Sequence, residues 1–355
     1  MKDSVDGVKI AEKIMEIKKR MGRKLVILTH NYQRKDIVDL GDYCGDSFDL
    51  SQKAASDNDA RFIVFCGVHF MAESAAILAK QHQVVQIPDM DAGCWMADMA
   101  NIYLVEKAWN EVIGITGDGS VTPLVYMNSD ALIKAHCGKN DGAVCTSSNA
   151  PNAFRWAFNK REKIFFFPDE HLGRNTGNLL GIAPEQMIVW DPDKILGGNS
   201  IEQIKNAKLI LWKGHCLVHT RFTVEHIAKK RKEFPDGIVV VHPECVQEVV
   251  GMADAVGSTN FIGKYVSDAP AGATIIVGTE VNMIKRLAVE YPDKKIMPLY
   301  DSLCPNMYKI NPENLLNTLE NIGEINVVEV DETTKKWAKI ALDNMLSLVL
   351  QSGLK

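Results

Sequence analysis

The chain has 355 residues, of which 46% are hydrophobic and 24% charged, and its formal net charge is −5. This length allows two or three domains with sizeable cores, and the negative charge argues against a nucleic-acid-binding surface, which needs a basic stripe. No apolar run approaches the roughly 18 to 20 residues that span a bilayer, and the N-terminus lacks a signal-peptide pattern. We therefore predict a cytoplasmic protein with no nucleic-acid or membrane partner.

Strands and helices alternate from the N-terminus. Apolar residues at helical spacing predict a helix over residues 6 to 21, which ends at Gly22 and leads into a strand at Leu25 to Leu28. The next predicted elements are a strand at Arg61 to Cys66, a helix at Met71 to Lys80 and a strand at Val84 to Ile87. Such alternation is typical of a parallel sheet flanked by helices.

The rest of the chain continues this alternation. Helices over residues 97 to 111 and 223 to 233 introduce two further segments, and a later helix begins at Asn311-Pro312 and ends near Gly323. The C-terminal residues predict a strand over Ile325 to Val330 and then a helix over residues 332 to 350. We expect this helix to pack back on the first third of the chain with five apolar side chains inward: Trp337, Ile340, Ala341, Met345 and Leu348.

One pattern occurs three times: an apolar strand, a polar motif at its end, a hydroxyl residue and a distant cysteine. The first copy has Leu25 to Leu28, Thr29-His30-Asn31-Tyr32, Ser47, Phe65-Cys66-Gly67 and Cys94, and the third has Ile238 to Val241, His242-Pro243-Glu244, Thr259, Gly278 and Cys304. The interval from Tyr32 to Ser47 and that from Glu244 to Thr259 are both 15 residues. Such self-similarity indicates a repeated structural unit.

The middle copy contains Leu124-Val125-Tyr126-Met127-Asn128, then Ser147, and finally Cys216 after a longer interval that implies an insertion near residues 173–205. The fold class that we predict is α/β, with three similar αβα units whose short parallel sheets are arranged around a pseudo-threefold axis. The predicted units are residues 1–105 plus 325–355, residues 106–222 and residues 223–324.

Titratable and hydroxyl side chains follow the predicted strands, where open parallel sheets bind their ligands. His242 and Glu244 could serve as a pair for proton transfer. Ser47, Ser147 and Thr259 stand at predicted helix starts, where a hydroxyl either caps the helix or, together with backbone N–H groups, binds an anion. Their shared place in three repeats favours the binding role.

Three of the eight cysteines, Cys94, Cys216 and Cys304, occupy equivalent unit boundaries. Glycine lies one residue before Cys94 and two before Cys216, and proline follows Cys304, which is typical of the tight turns around thiolate ligands. Three sulfur ligands could hold zinc, which would need a fourth ligand, or a [4Fe–4S] cluster with one iron left open. His219, three residues after Cys216, could face the same cavity, whereas His215 is expected to support the site or lie at the surface. We assign the other cysteines to packing: Cys44, Cys66, Cys137, Cys145 and Cys245.

Seven motifs in one order closely resemble the quinolinate synthase family over nearly the whole chain. They are Thr29-His30-Asn31-Tyr32, Gly45-Asp46-Ser47, Ala92-Gly93-Cys94, Cys145-Thr146-Ser147-Ser148-Asn149, His242-Pro243-Glu244, Gly257-Ser258-Thr259 and Cys304-Pro305-Asn306-Met307. The resemblance implies a three-domain α/β enzyme with a [4Fe–4S] cluster held by three cysteines. It also implies that iminosuccinate (iminoaspartate) condenses with dihydroxyacetone phosphate to give quinolinate, phosphate and water in NAD biosynthesis.

Carried over residue by residue, the resemblance implies cluster ligation by Cys94, Cys216 and Cys304 and a catalytic role for Tyr32, beside His242 and Glu244. The implied substrate contacts are His30, Ser47, Tyr126, Asn128, Ser147, His242, Glu244 and Thr259. The resemblance further implies that an aspartate-oxidising enzyme supplies the iminosuccinate.

Three other functions compete with this one. Another [4Fe–4S] hydro-lyase acting on a small dicarboxylate would use the same open iron, so only a substrate assay separates the two. A non-catalytic iron–sulfur sensor would not need Tyr32 or the pair His242 and Glu244 at strand ends, and sensors usually carry a basic DNA-binding element. A nucleotide-binding dehydrogenase is disfavoured because no glycine-rich dinucleotide or Walker A sequence follows a strand.

Overall fold

A computed structural model describes the backbone of residues 2–352 and the side chains of residues 7–348. Met1 and residues 353–355, which belong to the first predicted unit, lie outside the described residues. Within them, three separate parallel sheets of four, five and four strands are flanked by helices, which confirms the predicted α/β class with repeated units. The pseudo-threefold axis and the unit boundaries stay predictions. No helix in this described part of the chain is long and apolar enough to cross a membrane.

The first sheet has the strand order β2-β1-β3-β4, and β1 is buried along its whole length. Its strands are β1 (Leu25–His30), β2 (Tyr43–Gly45), β3 (Phe62–Cys66) and β4 (Val84–Gln86). The helices of this segment are α1 (Lys2–Met21), α2 (Lys35–Val38), α3 (Ser47–Ser56), α4 (His69–Leu78) and α5 (Trp95–Asp98).

The middle sheet has five strands, β5 (Val121–Tyr126), β6 (Ala143–Cys145), β7 (Lys163–Phe167), β8 (Met187–Trp190) and β9 (Leu209–Trp212). Its helices are α6 (Ile102–Thr116), α7 (Ala131–Lys139), α8 (Ala150–Lys160), α9 (Glu170–Leu179) and α10 (Ile201–Asn206). The strand order is β6-β5-β7-β9-β8, so β8 is an additional edge strand beyond the four that match the first sheet. β8 and α10 lie within or at the end of the insertion expected near residues 173–205.

The last sheet contains β10 (Ile238–Val241), β11 (Ala255–Val256), β12 (Thr274–Gly278) and β13 (Lys295–Pro298) in the order β11-β10-β12-β13. This order repeats that of the first sheet. The helices are α11 (Val224–Glu233), α12 (Gln247–Met252), α13 (Thr259–Asp268), α14 (Val281–Glu290), α15 (Pro305–Tyr308), α16 (Pro312–Glu320) and α17 (Glu332–Ser352).

Strand register relates the three repeats residue by residue. Thr29 pairs with Cys44 and Cys66, and Val125 pairs with Val144 and Phe167. In the same way, Val241 pairs with Val256 and Gly278. The next residues along the three central strands, His30, Tyr126 and His242, are therefore equivalent, and so are Tyr32, Asn128 and Glu244. The expected match of Gly67 with Gly278 is wrong by one residue, because Cys66 occupies that register position.

Two predicted elements differ from the structure. The helix expected over residues 97 to 111 is two helices, α5 and α6, and the Asn101 side chain starts the second by accepting a hydrogen bond from Tyr103 N at 2.9 Å. The strand expected over Ile325 to Val330 is reduced to one antiparallel bridge between Gln86 and Val327. Its neighbour Asn326 has a φ of 54°, a left-handed conformation that interrupts an extended strand.

The C-terminal helix α17 packs mainly against α7 and β6 of the middle segment, with smaller contacts to α4 and α8. The expectation that it packs on the first third of the chain is therefore wrong. Ala341, Met345 and Leu348 are buried as predicted, whereas Ile340 is 37% exposed. The close approach depends on Gly138 of α7, where a Cβ atom would lie 2.0 Å from the Trp337 carbonyl oxygen. The helical period identifies the apolar face of α17, but this face packs at Gly138 of α7, in the middle segment of the chain.

We predict that Gly138→Ala lowers the free energy of unfolding by about 1–3 kcal/mol, because the added methyl group overlaps backbone that has little room to move. The matched control is Gly114→Ala within α6, where nothing lies within 4 Å of the new Cβ. That control should raise the free energy by about 0.5–1 kcal/mol through helix propensity. Urea unfolding followed by circular dichroism measures both, and equal stability of the two variants would contradict the docking of α17 on α7.

Candidate functional site

The ends of the central strands open into one cavity whose lining comes from all three sheets. The volume of this cavity is about 90 Å³. All twelve side chains singled out in the sequence line this cavity, although this leaves their individual roles as predictions. They are His30, Tyr32, Ser47, Cys94, Tyr126, Asn128, Ser147, Cys216, His242, Glu244, Thr259 and Cys304.

The two histidines at equivalent strand ends have the same local geometry. Nδ1 of His30 accepts the backbone N–H of Tyr32 at 3.1 Å, and Nδ1 of His242 accepts that of Glu244 at 3.4 Å. The proton of each neutral ring is therefore on Nε2, which in His242 lies 3.2 Å from Ser147 Oγ. Burial lowers the pKa of both histidines to about 3. Each ring thus offers a neutral N–H donor.

Glu244 is the buried acid at the centre of the cavity wall, with 2% of its surface exposed. Its Oε1 accepts a hydrogen bond from the Tyr126 hydroxyl at 2.5 Å, and its Oε2 lies 2.6 Å from Nδ1 of His219. The second contact has the distance of an ion pair, although the ring N–H does not point along the line to the oxygen. Burial alone would raise the pKa of Glu244, but His219 and the hydrogen bond from Tyr126 outweigh it and lower the pKa to about 2.

The Tyr32 hydroxyl joins this group from the first sheet. It lies 2.8 Å from Thr279 Oγ1 and 3.2 Å from Nε2 of His219, and those two atoms are themselves 3.2 Å apart. Burial, followed by the nearby Glu244 carboxylate, raises the pKa of Tyr32 well above 10, so the phenol keeps its proton at neutral pH. A continuous chain of polar contacts therefore runs from Tyr32 through His219 to Glu244 and Tyr126.

The three hydroxyl residues are not the caps of the helices that they introduce. Asp46 caps α3 by accepting from Phe48 N and Asp49 N, both at 2.9 Å, and Ser258 caps α13 by accepting from Phe261 N at 3.3 Å. Thr259 and Ser47 are thus the first helical residues, and Ser147 stands before Asn149, the residue that precedes α8. The alternative in which these hydroxyls serve only as caps is wrong, so they remain available to a ligand.

Three free thiols, those of Cys94, Cys216 and Cys304, line the same cavity. Cys94 and Cys304 directly precede the short helices α5 and α15, whose first backbone N–H groups face the two sulfurs and favour their charged forms. Burial nevertheless raises the pKa of Cys94 to about 12 and that of Cys304 to about 11. Ligand atoms of Cys216, His219 and Glu244 also lie within 4.8 Å of one another, a grouping that could hold a metal ion.

The remaining cysteines lie apart from this cavity lining. Four are buried as expected, and burial raises the pKa of each of their thiols: Cys66, Cys137, Cys145 and Cys245. Cys44 is exposed rather than packed, with its thiol 3.4 Å from Asn31 Oδ1, so its assignment to the core is wrong.

Several contributors could not be ranked from the sequence. His219 was left open, and the structure buries it completely between Tyr32 and Glu244. Thr279 was missed, although its place directly after β12 marks a strand end like those already recognised. Asp46, inside the motif Gly45-Asp46-Ser47, lines the cavity and accepts from Ser148 Oγ at 2.6 Å, a contact that its place in the sequence does not predict.

Comparison with known proteins gives one consistent result. The family model described as NadA, quinolinate synthetase A protein, matches residues 12–191 and 179–347. A quinolinate synthase of Corynebacterium glutamicum is 47% identical over 95% of this chain and 87% of its own length. Proteins of the same name from Acidobacterium capsulatum and Bacillus cereus are 48% and 47% identical over 95% of this chain, and the matches cover 92% and 93% of their lengths.

The buried histidines predict a pH dependence of stability in the metal-free protein. Their pKa is about 3 when folded and about 6.5 when unfolded, so the unfolded chain binds more protons below pH 6.5. Stability is therefore present above pH 6.5 and lost as the pH falls toward 3. Between pH 7 and pH 5.5, His30 and His242 together should remove roughly 2 kcal/mol from the free energy of unfolding.

The measurement is urea unfolding at the two pH values for the wild type and for a variant carrying His30→Gln and His242→Gln. Other buried groups contribute equally to both proteins, so the comparison isolates the two rings. The variant should lose less stability than the wild type on acidification. An equal loss would mean that the pKa of the two histidines is the same in the folded and the unfolded protein.

Proposed function

The chain belongs to the quinolinate synthetase A family, and we propose that it condenses iminosuccinate with dihydroxyacetone phosphate to form quinolinate, phosphate and water in NAD biosynthesis. The observation that carries the proposal is one cavity lined by three thiols, by hydroxyls from all three sheets and by Tyr32 and Glu244, which the buried His219 connects. Condensation, tautomerisation, ring closure and loss of water all need proton transfers at bound anionic substrates.

Cys94, Cys216 and Cys304 would hold a [4Fe–4S] cluster. The fit is supported by three buried thiols on one cavity and by backbone N–H groups directed at two of the sulfurs, which stabilise thiolate ligands. His219 and Glu244 are already in contact with each other and with tyrosine hydroxyls. The three sulfurs are therefore the ligands that the protein offers to the cluster, and no fourth protein ligand is proposed. When bound, such a cluster supplies a Lewis-acidic iron that polarises a hydroxyl or carbonyl oxygen.

Proton transfer is assigned to the contact chain that starts at Tyr32. The Tyr32 hydroxyl can give a proton to the substrate and recover one from His219, whose other ring nitrogen is 2.6 Å from the Glu244 carboxylate. The buried carboxylate stabilises the positive charge that His219 would carry during this exchange. His242 donates from Nε2 and cannot act as a base at that atom while Nδ1 accepts the backbone N–H.

The hydroxyls of Ser47, Ser147 and Thr259 would bind the carboxylates and the phosphate, together with the amide of Asn128 and the Nε2 of His30. Two of these hydroxyls begin α3 and α13, helices of ten residues each, so free backbone N–H groups and the helix dipole add to the attraction for anions. The net charge of −5 is compatible with anionic substrates because the groups inside this cavity donate hydrogen bonds.

We further propose that the protein acts in the cytoplasm and receives iminosuccinate from an aspartate-oxidising enzyme. The direct test of the proposed function uses anaerobically purified, iron-loaded protein with enzymatically generated iminosuccinate and dihydroxyacetone phosphate. Quinolinate and phosphate should form in equal amounts and only when both substrates are present. Turnover of another dicarboxylate without quinolinate formation would instead indicate a hydro-lyase.

Serine substitution of Cys94, Cys216 or Cys304 should abolish both the visible absorbance of the cluster and quinolinate formation, because each removes one of only three sulfur ligands. The matched control is Cys137→Ser, whose buried thiol donates to Pro123 O and Ala143 O outside the cavity lining. Iron analysis and absorbance spectra measure the result. Three serine variants with full iron content would disprove the ligand assignment.

Tyr32→Phe should reduce turnover by about 10² to 10⁴, the usual contribution of a positioned acid or base, with substrate affinity changed by less than about threefold. His30→Ala should instead mainly weaken substrate binding. The control is Tyr265→Phe, a tyrosine of α13 that packs against Phe261 and is not part of the cavity lining. Steady-state kinetics with both substrates decides the matter, and a normal maximal rate for Tyr32→Phe would leave that residue only a packing role.

A further inference from the structure

Asn31 lies behind the cavity wall, between the Tyr32 motif of the first sheet and the start of α13. It is 8% exposed and is not part of the cavity lining. Its amide nitrogen donates to Thr259 Oγ1 at 3.0 Å and to Asn260 Oδ1 at 3.1 Å. Both acceptors belong to the third sheet's segment, so Asn31 joins two units immediately beside a residue that lines the cavity.

The orientation of the Asn31 amide is fixed by the donors on its other side. Its Oδ1 accepts from the Cys44 thiol at 3.4 Å and lies 3.5 Å from Nη2 of Arg286, which also donates to the Asn31 carbonyl oxygen at 3.2 Å. Flipping the amide would bring its NH₂ group toward two donors and its oxygen toward the Asn260 oxygen. The amide nitrogen is therefore the atom that faces Thr259.

This contact determines what the Thr259 hydroxyl can do. Its oxygen receives the proton of the Asn31 amide, so its own proton must point elsewhere. Among the described residues, no acceptor takes that proton, and Thr259 itself lines the cavity. A buried hydroxyl held in this way is a directed donor into the cavity, which favours a ligand group that only accepts hydrogen bonds, such as a carboxylate or a phosphate.

Asn260 extends this network from Asn31 to the segment of the first sheet. Asn260 Nδ2 donates to Asp49 Oδ2 at 2.5 Å. This bond fixes the orientation of the Asn260 amide, so that its Oδ1 is the atom that accepts from Asn31. Asp49 lies on α3, the helix that begins at the cavity residue Ser47. The network thus links the starts of α3 and α13, the two helices proposed to bind anions.

We propose that Asn31 is a positioning residue that sets the Thr259 hydroxyl as a hydrogen-bond donor to an anionic group of the substrate. This inference rests on the proposed function, because it takes a dianionic substrate as the ligand of the cavity. Asn31 is not part of the cavity lining, so its effect on a ligand acts through Thr259. It should change substrate affinity more than the maximal rate.

The test is Asn31→Asp, which keeps the shape of the side chain and the contact with Arg286 but replaces the donor with an acceptor. Thr259 would then donate to the new carboxylate and turn a lone pair toward the ligand. The KM of at least one substrate should rise about tenfold to a hundredfold, the range expected for a lost hydrogen bond to a charged group. The dissociation constant of quinolinate, a stable dianionic probe measured by calorimetry on iron-loaded protein, should rise similarly, with kcat changed less than fivefold.

A double-mutant cycle with Thr259→Val separates orientation from simple charge repulsion. If Asn31 acts through the Thr259 hydroxyl, Asn31→Asp should have little further effect once that hydroxyl is gone. The same loss of affinity in both backgrounds would overturn the proposal. If Asn31→Asp does not fold or load iron, Asn31→Ala in the two backgrounds gives the same cycle with a smaller expected effect.

Asn260→Ala is the matched control for a purely structural link between the units. It removes the contacts to Asn31 and Asp49 but leaves the bond from Asn31 to Thr259, so KM should stay within about twofold of the wild type. An increase as large as that of Asn31→Asp would assign the effect to the link between units and overturn the proposal. A wild-type protein that forms no quinolinate would refute the proposed function, whereas normal synthesis with an unchanged KM in Asn31→Asp would refute only this inference.

Discussion

The structure depends above all on the buried Glu244 carboxylate. A charge with 2% exposure is strongly disfavoured unless it is paired and hydrogen-bonded, and its two partners come from different parts of the chain. Tyr126 comes from the middle sheet, and His219 from the segment between the middle and last sheets. Removing one partner of such a buried group typically costs about 3–5 kcal/mol. The contact that joins the units is also the one on which the proposed proton transfer depends.

Other polar contacts beside the cavity also limit how far the units can move apart. Asn175 of α9 donates to the carbonyl oxygens of Pro243 and Cys245, on both sides of Glu244, at 2.8 and 2.7 Å. Ser148 and Asp46 link the middle and first segments at 2.6 Å. Each boundary is thus closed by polar contacts beside a cavity residue, and separating the units would expose the cavity and leave buried polar groups unpaired.

Much of the fold and the site could be predicted from the sequence because both follow from short-range rules applied three times. Buried parallel strands appear as apolar runs, and the polar residues directly after Leu28, Val125 and Val241 mark the edge where a ligand is expected. The docking of α17 could not be predicted, since an apolar helix face does not specify which notch receives it and Gly138 gives no sign of its partner. The roles of His219 and Asn31 were equally hidden, because their contacts join residues 187 and 228 positions apart.

Equivalent backbone positions in the three repeats carry side chains of different chemical character. The first residue past the aligned register is His30, Tyr126 or His242, and two positions later the chain has Tyr32, Asn128 or Glu244. The two histidines share one geometry because each ring accepts the backbone N–H two residues further on, whereas Tyr126 has no ring nitrogen and extends to Glu244 instead. A symmetric set of side chains could bind three equal groups but could not hold a neutral phenol and an ionised carboxylate in one cavity. The difference between Tyr32 and Glu244 at equivalent positions therefore gives the proposed proton path a direction, which the repeated fold alone does not provide.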